Sequence, residues 1–246
     1  MSGIVIILAI LASSSGFFAR NFANVEVIGG RPAEPGQFPF MAALRDLNKT
    51  FSCGASIIAE KWVVTAAHCV EGLSKANFTI SVGTNRLSEG GSFLNVANIV
   101  SHPDYDPNNP RFNDIALVEL SNEIAFDALT KPIELGPASA NDPATLAGWG
   151  YTNFTSLTEP DQLQFLTTKI VSFDDCQTSW LNTLRGKQIC ALSRKGEGAC
   201  FGDSGGPLIA NEKLVGIVSF GYPCGEGYPD VYTSTSSYID WINQYV

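Results

Sequence analysis

The residues with the clearest chemical potential lie in Gly202-Asp203-Ser204-Gly205-Gly206-Pro207. A nucleophilic serine needs an exposed Oγ on a tight turn with free backbone N–H groups beside it, and flanking glycines permit such a turn. They also let a substrate carbonyl approach the backbone. Serine is a poor nucleophile until a base takes its proton, and the chain offers only two histidines. His68 lies in Thr65-Ala66-Ala67-His68-Cys69, directly after the strand-like Trp62-Val63-Val64. His102 lies in Ser101-His102-Pro103, a polar, Pro- and Asn-rich stretch that reads as a surface loop. A base must in turn be oriented by a third group. Asp114, in Asn113-Asp114-Ile115-Ala116-Leu117, stands at the start of an apolar run and is a candidate for that role. Each feature alone is ordinary: a Gly-rich turn with a serine is usually a loop, and an acid at a strand start is usually a boundary residue.

The elements that must position these residues read mainly as strands. Trp62 to Thr65, Phe78 to Val82, Ile115 to Leu120, Leu208 to Ala210 and Leu214 to Phe220 are short and Val/Ile-rich, bounded by Gly, Pro, Asn or Ser. That pattern predicts an all-β sandwich or barrel. Ser172 with Asp175 resembles a capping box for a short helix near Cys176. Tyr238, Trp241, Ile242 and Tyr245 share one face of a C-terminal helix that Ser237 and Asp240 could cap. Ser121 to Pro143 carries few strand signals and reads as the connection between two halves.

Composition narrows the class. The chain has 246 residues, 45% hydrophobic and 16% charged, which excludes disorder and allows one large or two small domains. A net charge of −9 argues against nucleic acid or an anionic membrane as partner. Ile4 to Ala12 is an unbroken apolar run followed by small residues. It is too short to span a bilayer and reads as a secretory signal, cleaved after Ser15 or Ala19. Six cysteines, Cys53, Cys69, Cys176, Cys190, Cys200 and Cys224, then suggest disulfides, with about 15 pairings open by count alone. No CxxC and so few histidines make a metal site a poor reading. Asn48, Asn77 and Asn153 head three sequons, candidates for glycosylation in that compartment.

Taken together, TAAHC, NDIAL and GDSGGP, in that order, resemble the trypsin/chymotrypsin family of serine proteases. Val27-Ile28-Gly29-Gly30, Gly148-Trp149-Gly150 and Tyr238-Ile239-Asp240-Trp241-Ile242 extend the resemblance over residues 27–246. It implies two six-stranded antiparallel β-barrels, about residues 27–130 and 131–232, plus a C-terminal α-helix. Residues 1–19 would be the signal peptide and 20–26 a short activation segment. The implied disulfides are Cys53–Cys69, Cys176–Cys190 and Cys200–Cys224. The implied triad is His68, Asp114 and Ser204, with backbone N–H groups of Gly202 and Ser204 as the oxyanion hole. Ser219, Phe220 and Gly221 would pair with the substrate as an extra strand. Also implied are protein or peptide substrates, serpin or small reactive-loop inhibitors, a monomer, and no cofactor or metal.

Two departures from the family pattern matter. The pocket-base position is Gly198, so the Asp that trypsin-like enzymes use for Lys or Arg is missing. Asp230 instead occupies a pocket position that is normally Gly. This combination resembles collagenolytic serine proteases of broad specificity from crustaceans and insects, and GEGAC and SFGYPCG are similar to segments of insect digestive or venom chymotrypsins. The expectation is a chymotrypsin-like enzyme with broadened tolerance; the alternative is trypsin-like cleavage that uses Asp230. The second departure is at activation. Val27 would be the new N-terminus and Asp203 its partner, but Glu26 rather than Lys or Arg precedes Val27. That junction keeps a non-catalytic homologue, acting by binding, as a further alternative. Val82-Gly83-Thr84-Asn85 lacks the family's first calcium-loop Glu, so no calcium requirement is expected.

Overall fold

Short strands rich in Val, Ile and Ala leave unpaired backbone edges, and closing a sheet on itself removes them. The chain does this twice. The structure is a computed structural model describing residues 27–152, 158–222 and 224–246. After a two-residue strand β1 (Arg31–Pro32), the first barrel uses β2 (Met41–Asp46), β3 (Phe51–Ala59), β4 (Trp62–Thr65), β5 (Phe78–Val82), β6 (Ser92–Ser101) and β7 (Ala116–Leu120). They close in the order β2-β3-β4-β7-β6-β5, all pairs antiparallel. The second barrel uses β8 (Pro143–Gly148), β9 (Gln164–Ile170), β10 (Gln188–Leu192), β11 (Pro207–Ala210), β12 (Lys213–Phe220) and β13 (Asp230–Ser234). The β8–β9 pairing closes this ring, and β1 adds to the free side of β9. The architecture is therefore two closed six-stranded antiparallel barrels, as the resemblance implied. No strand intervenes between Leu120 and Pro143, in keeping with a connecting segment there.

The helices are few. α1 (Phe173–Ser179) begins at Ser172, whose Oγ accepts from Asp175 N at 3.1 Å and donates to the Asp175 carboxylate at 2.6 Å. The cap forms as expected, except that the acid meets the serine hydroxyl rather than its backbone N–H. At the C-terminus a 3-10 turn (Thr235–Tyr238) leads into α2 (Ile239–Ile242). Here the expected cap fails: Tyr238 holds the N-cap position with no side-chain hydrogen bond, because Ser237 is already inside the 3-10 turn. The apolar face is real, with Tyr238, Trp241 and Ile242 buried in the first barrel's core beside Leu117 and Val118. Tyr245 lies further out, 42% exposed.

His102 corrects a second expectation. It is buried, not on the surface, at 8% exposure. Its ring lies 5.2 Å from Tyr238 and 5.1 Å from Trp241, and Asp104 N donates to its Nδ1 at 3.2 Å. The polar loop around it hid this, since the covering aromatics come from the far end of the chain. Burial lowers the His102 pKa, with Asp104 opposing and Lys187 adding to the shift. The unfolded chain therefore takes up this proton at a higher pH than the folded one, so stability is present above about pH 6.5 and declines as pH falls. Melting temperatures between about pH 6.5 and 5 should fall less steeply in His102→Gln than in the parent. An unchanged slope would remove His102 as the source.

Three disulfides staple the barrels, Cys53–Cys69, Cys176–Cys190 and Cys200–Cys224, with no free cysteine among the described residues. Loops of this size each remove about 3 kcal/mol of unfolded-state entropy in the chain-entropy picture. Such bonds fit an oxidising compartment.

Candidate active site

The first barrel delivers His68 and Asp114 from neighbouring strand ends. His68 sits on a 3-10 turn (Ala67–Cys69) directly after β4, and the Cys53–Cys69 bond ties that turn to β3. Asp114 lies just before β7, the partner of β4, so the two side chains emerge at one end of the same strand pair. The bend at Asp114 has its own supports. Asn113 takes a left-handed φ of 52°, a conformation Asn tolerates better than most residues. Its side chain donates to Asp104 O at 2.9 Å and accepts from the Tyr238 hydroxyl at 3.0 Å. Thr233 Oγ1, from the second barrel, donates to Asp114 O at 2.8 Å.

The carboxylate of Asp114 is 1% exposed and fully engaged. Its Oδ1 accepts from His68 N at 3.0 Å, and its Oδ2 lies 2.8 Å from His68 Nδ1. A carboxylate can only accept, so the proton of the neutral ring belongs on Nδ1, and Nε2 carries the lone pair. Ser219 Oγ donates to the same Oδ2 at 2.5 Å. Sequence reasoning placed Ser219 only along the substrate edge. Its contact with Asp114 had no local signal, since the two residues are far apart in the chain.

Ser204 comes from the second barrel, in the loop before β11. That loop is pressed against the strands that present His68. Gly54 N donates to Ser204 O at 2.8 Å, and a Cβ on Gly54 would meet Gly206 Cα at 2.8 Å. Gly205 has φ 76°, and a Cβ there would strike the Thr65 hydroxyl and Gly54 O. Only glycines allow the two barrels this approach. Gly202, with φ 96°, precedes the turn, and Asp203 N donates to Cys200 O at 3.0 Å. Among the described residues, the N–H groups of Gly202 and Ser204 have no internal acceptor.

Asp203 points the other way, into the second barrel, and is wholly buried. Its oxygens accept from Gly150 N at 2.8 Å and Cys200 N at 2.9 Å. Burial pushes its pKa up to about 6 despite these bonds. Val27 is buried in the same barrel's core with a left-handed φ of 44°, and Gly198 N donates to Ile28 O at 3.0 Å.

Beside Ser204 opens a cavity of about 380 Å³, lined by residues including Ser219, Phe220, Gly221, Tyr222 and Asp230. Gly198 is next to it, and a Cβ on Gly198 would lie 3.0 Å from Asp230 Oδ2. The carboxylate therefore sits about where a side chain at position 198 would begin. Ala199 N donates to Asp230 Oδ2 at 2.8 Å, and a Cβ on Gly221 would come 2.8 Å from Oδ1. No cation pairs with Asp230 among the described residues. Burial, opposed by the Ala199 bond and reinforced by the charge of Asp203, raises its pKa to about 7.

The remaining sequence candidates fall elsewhere. Asn48 and Asn77 are exposed in loops of the first barrel, and Asn153 lies outside the described residues, as do residues 1–26. His68 clusters with Cys53 and Cys69, but those sulfurs form a disulfide and offer no thiolate to a metal.

Two barrels meeting at a cleft, with a His–Asp pair from one and a Gly-flanked Ser from the other, define a class with serine-peptidase architecture. The trypsin family model matches residues 27–242. Chymotrypsin-2 of Vespa crabro is 39% identical over 224 residues, covering 89% of this chain and 99% of that protein. Trypsin beta of Drosophila erecta is 36% identical over 222 residues, covering 88% and 87%. Among solved structures, mouse neuropsin, described as a serine protease, superposes with a TM-score of 0.81 at 32% identity, covering 87% and 97%. The chain belongs to the trypsin family of serine proteases.

Proposed function

We propose that the protein is a secreted serine endopeptidase that cleaves through an acyl-enzyme at Ser204. The observation that carries this reading is the His68–Asp114–Ser219 hydrogen-bond set beside a Ser204 turn whose Gly202 and Ser204 N–H groups have no acceptor among the described residues. Ser204 Oγ attacks the scissile carbonyl carbon and its proton passes to His68 Nε2. Asp114 holds the Nδ1–H tautomer and stabilises the imidazolium. The Gly202 and Ser204 N–H groups receive the oxyanion. His68 then protonates the leaving amine as the C–N bond breaks. Water, deprotonated by His68, releases the acyl group and restores Ser204.

The activation reading rests on Val27 and Asp203. The φ of Val27 is defined by the carbonyl of residue 26, so cutting that bond removes a strained torsion worth about 1–3 kcal/mol. It also creates an ammonium at a residue buried in the second barrel's core, and the wholly buried Asp203 carboxylate, its pKa raised by burial, is the partner this reading assigns to it. Glu26 calls for an activating cut after an acid or for stepwise trimming upstream. Activity-based labelling tests both parts. An organophosphonate should modify Ser204, and not Ser219, once the chain is processed at Val27. The unprocessed chain should react at least about 100-fold more slowly, as expected when oxyanion donors are not in place. Labelling at another residue, or none after processing, would favour a homologue that acts by binding.

For specificity, Asp230 supports a pocket that takes Phe, Tyr or Leu when the carboxyl is neutral and Lys or Arg when it is ionised. The reading is chymotrypsin-like with a basic component.

A further inference from the structure

Three cations without a carboxylate partner among the described residues gather beside this site. Arg111, Arg185 and Lys187 surround a cavity of about 210 Å³, together with Phe112, Gln188 and Thr233. Three cations on one cavity run against the net charge of −9. Several cations answer carboxylates: Arg86 pairs with Asp161, Arg194 with Glu197, Lys195 with Glu226 and Lys213 with Glu134. Among the described residues, Arg31, Arg45 and Lys49 rest on aromatic rings without an ion pair but do not share a cavity with a third cation. None of Arg111, Arg185 and Lys187 pairs with a carboxylate among the described residues. Each of these three is held by an aromatic ring instead. Arg185 lies 3.8 Å from the Phe112 ring centre and Lys187 4.9 Å from that of Tyr238. Arg111 lies 5.4 Å from Phe220 and 6.0 Å from Trp180. A ring fixes the cation without consuming its N–H donors.

One amide braces the frame. Gln188 Nε2 donates to Arg111 O at 2.6 Å, and Gln188 Oε1 accepts from Arg185 N at 2.7 Å. Both arms of a single side chain thus fix the backbones that carry two of the cations. Arg111 also links this cavity to the candidate active site, because its ring partner Phe220 lines the cavity beside Ser204.

We propose that this cluster is an anion subsite for a carboxylate side chain of the peptide substrate, N-terminal to the scissile bond, at P2 to P5. The proposal rests on the peptidase reading above. A substrate paired along Ser219–Gly221 runs past Phe220, and so past Arg111. The occupant is a tethered side chain rather than a free polyanion. A chain with net charge −9 repels long polyanions, whereas a side chain on a bound peptide arrives at high effective concentration.

The test uses the full chain processed at Val27. Quenched peptides sharing one P1 residue carry Glu or Gln at each of P2 to P5. At low ionic strength kcat/KM should favour a Glu peptide by about five- to tenfold, mainly through KM, as for a few partly exposed ion pairs. The preference should vanish in about 0.5 M salt. The double variant Arg185→Gln/Lys187→Gln, which leaves Arg111 in place, should cut the preference to about twofold or less while leaving Gln peptides unchanged, and inorganic sulfate should compete it away. Binding of the same peptides to Ser204→Ala by fluorescence anisotropy should show the same ratio. That readout separates a failed subsite from a failed peptidase reading, because it needs no turnover. Equal affinity for Glu and Gln peptides overturns the proposal. So does a preference undiminished in the double variant, or tight binding of a sulfated oligosaccharide without any Glu preference.

Discussion

Asp114→Asn should leave a folded protein with kcat lowered by about 10⁴-fold, the magnitude for replacing the carboxylate of a Ser-His-Asp triad by an amide. All three groups that meet the Asp114 carboxylate are donors: His68 N, His68 Nδ1–H and Ser219 Oγ–H. An amide supplies one acceptor oxygen and one NH₂. If the NH₂ faces His68 N, two donors confront each other. If it faces Nδ1, the ring must accept there and carry its proton on Nε2, where it can no longer take one from Ser204. The second orientation is favoured, because the amide oxygen accepts from His68 N while the NH₂ donates to Nδ1 and to Ser219 Oγ, and in it the base is lost while the bulk of the site is kept. The stability cost is that of imperfectly paired buried donors, about 1–3 kcal/mol, which a protein with two closed barrels and three disulfides survives. Ser219→Ala is the informative control. It removes one donor and leaves the tautomer intact, so a loss of only about tenfold is expected from one charge-assisted hydrogen bond. The measurements are kcat on a peptide substrate and the thermal melt of each variant. A drop below tenfold in Asp114→Asn would show that Asp114 does not orient the base.

The contrast between Asp114 and Ser219 shows what the sequence could reveal. Asp114 was legible because an acid at the start of an apolar run sits in a recognisable segment with His68 and Ser204 in family order. Ser219 was legible only as part of an edge strand, since its contact with Asp114 needs both barrels assembled. The strands told the same story. Trp62–Thr65 and Phe78–Val82 fall where Val/Ile runs end at turn residues, and the structure keeps those bounds. His102 was misread for the opposite reason. Its neighbours are polar and Pro-rich, yet Tyr238 and Trp241 cover it from the far C-terminus. The capping of α2 failed because a 3-10 turn took up Ser237 before the helix began. The Arg111–Arg185–Lys187 cluster was invisible as well, because its residues lie in separate loops that Gln188 draws together.

Among the described residues, Asp230 is the one carboxyl that lines the cavity beside Ser204. Replacing it with Asn should lower kcat/KM for Lys and Arg at P1 by about 100-fold or more, in line with about 3 kcal/mol for removing one member of a buried ion pair. Cleavage after Phe, Tyr or Leu should change little or improve, because the variant pocket no longer gains a charge as pH rises through about 7. The same carboxyl gives the parent a pH-dependent selectivity. Its pKa is raised to about 7 by burial, opposed by the Ala199 N–H and reinforced by Asp203. Below that value the pocket is neutral and accepts apolar side chains; above it the pocket carries a charge that attracts Lys or Arg. The ratio of kcat/KM for a Lys substrate to that for a Phe substrate should therefore rise about tenfold per pH unit below the transition and level off above it. His68 serves both substrates, so its titration cancels in the ratio. On the proposed activation, an ammonium at Val27 would offset the Asp203 charge that helps raise the Asp230 pKa, and the transition should move downward on processing. Folding stability carries the opposite sign. A carboxyl whose folded pKa exceeds its unfolded value contributes stability below about pH 4 that is lost as pH rises through about 7, so Asp230→Asn should gain in melting temperature toward pH 8 relative to pH 4. A Lys/Phe ratio independent of pH in the parent, or a basic P1 activity untouched by Asp230→Asn, would place the carboxylate outside the contact with the P1 side chain.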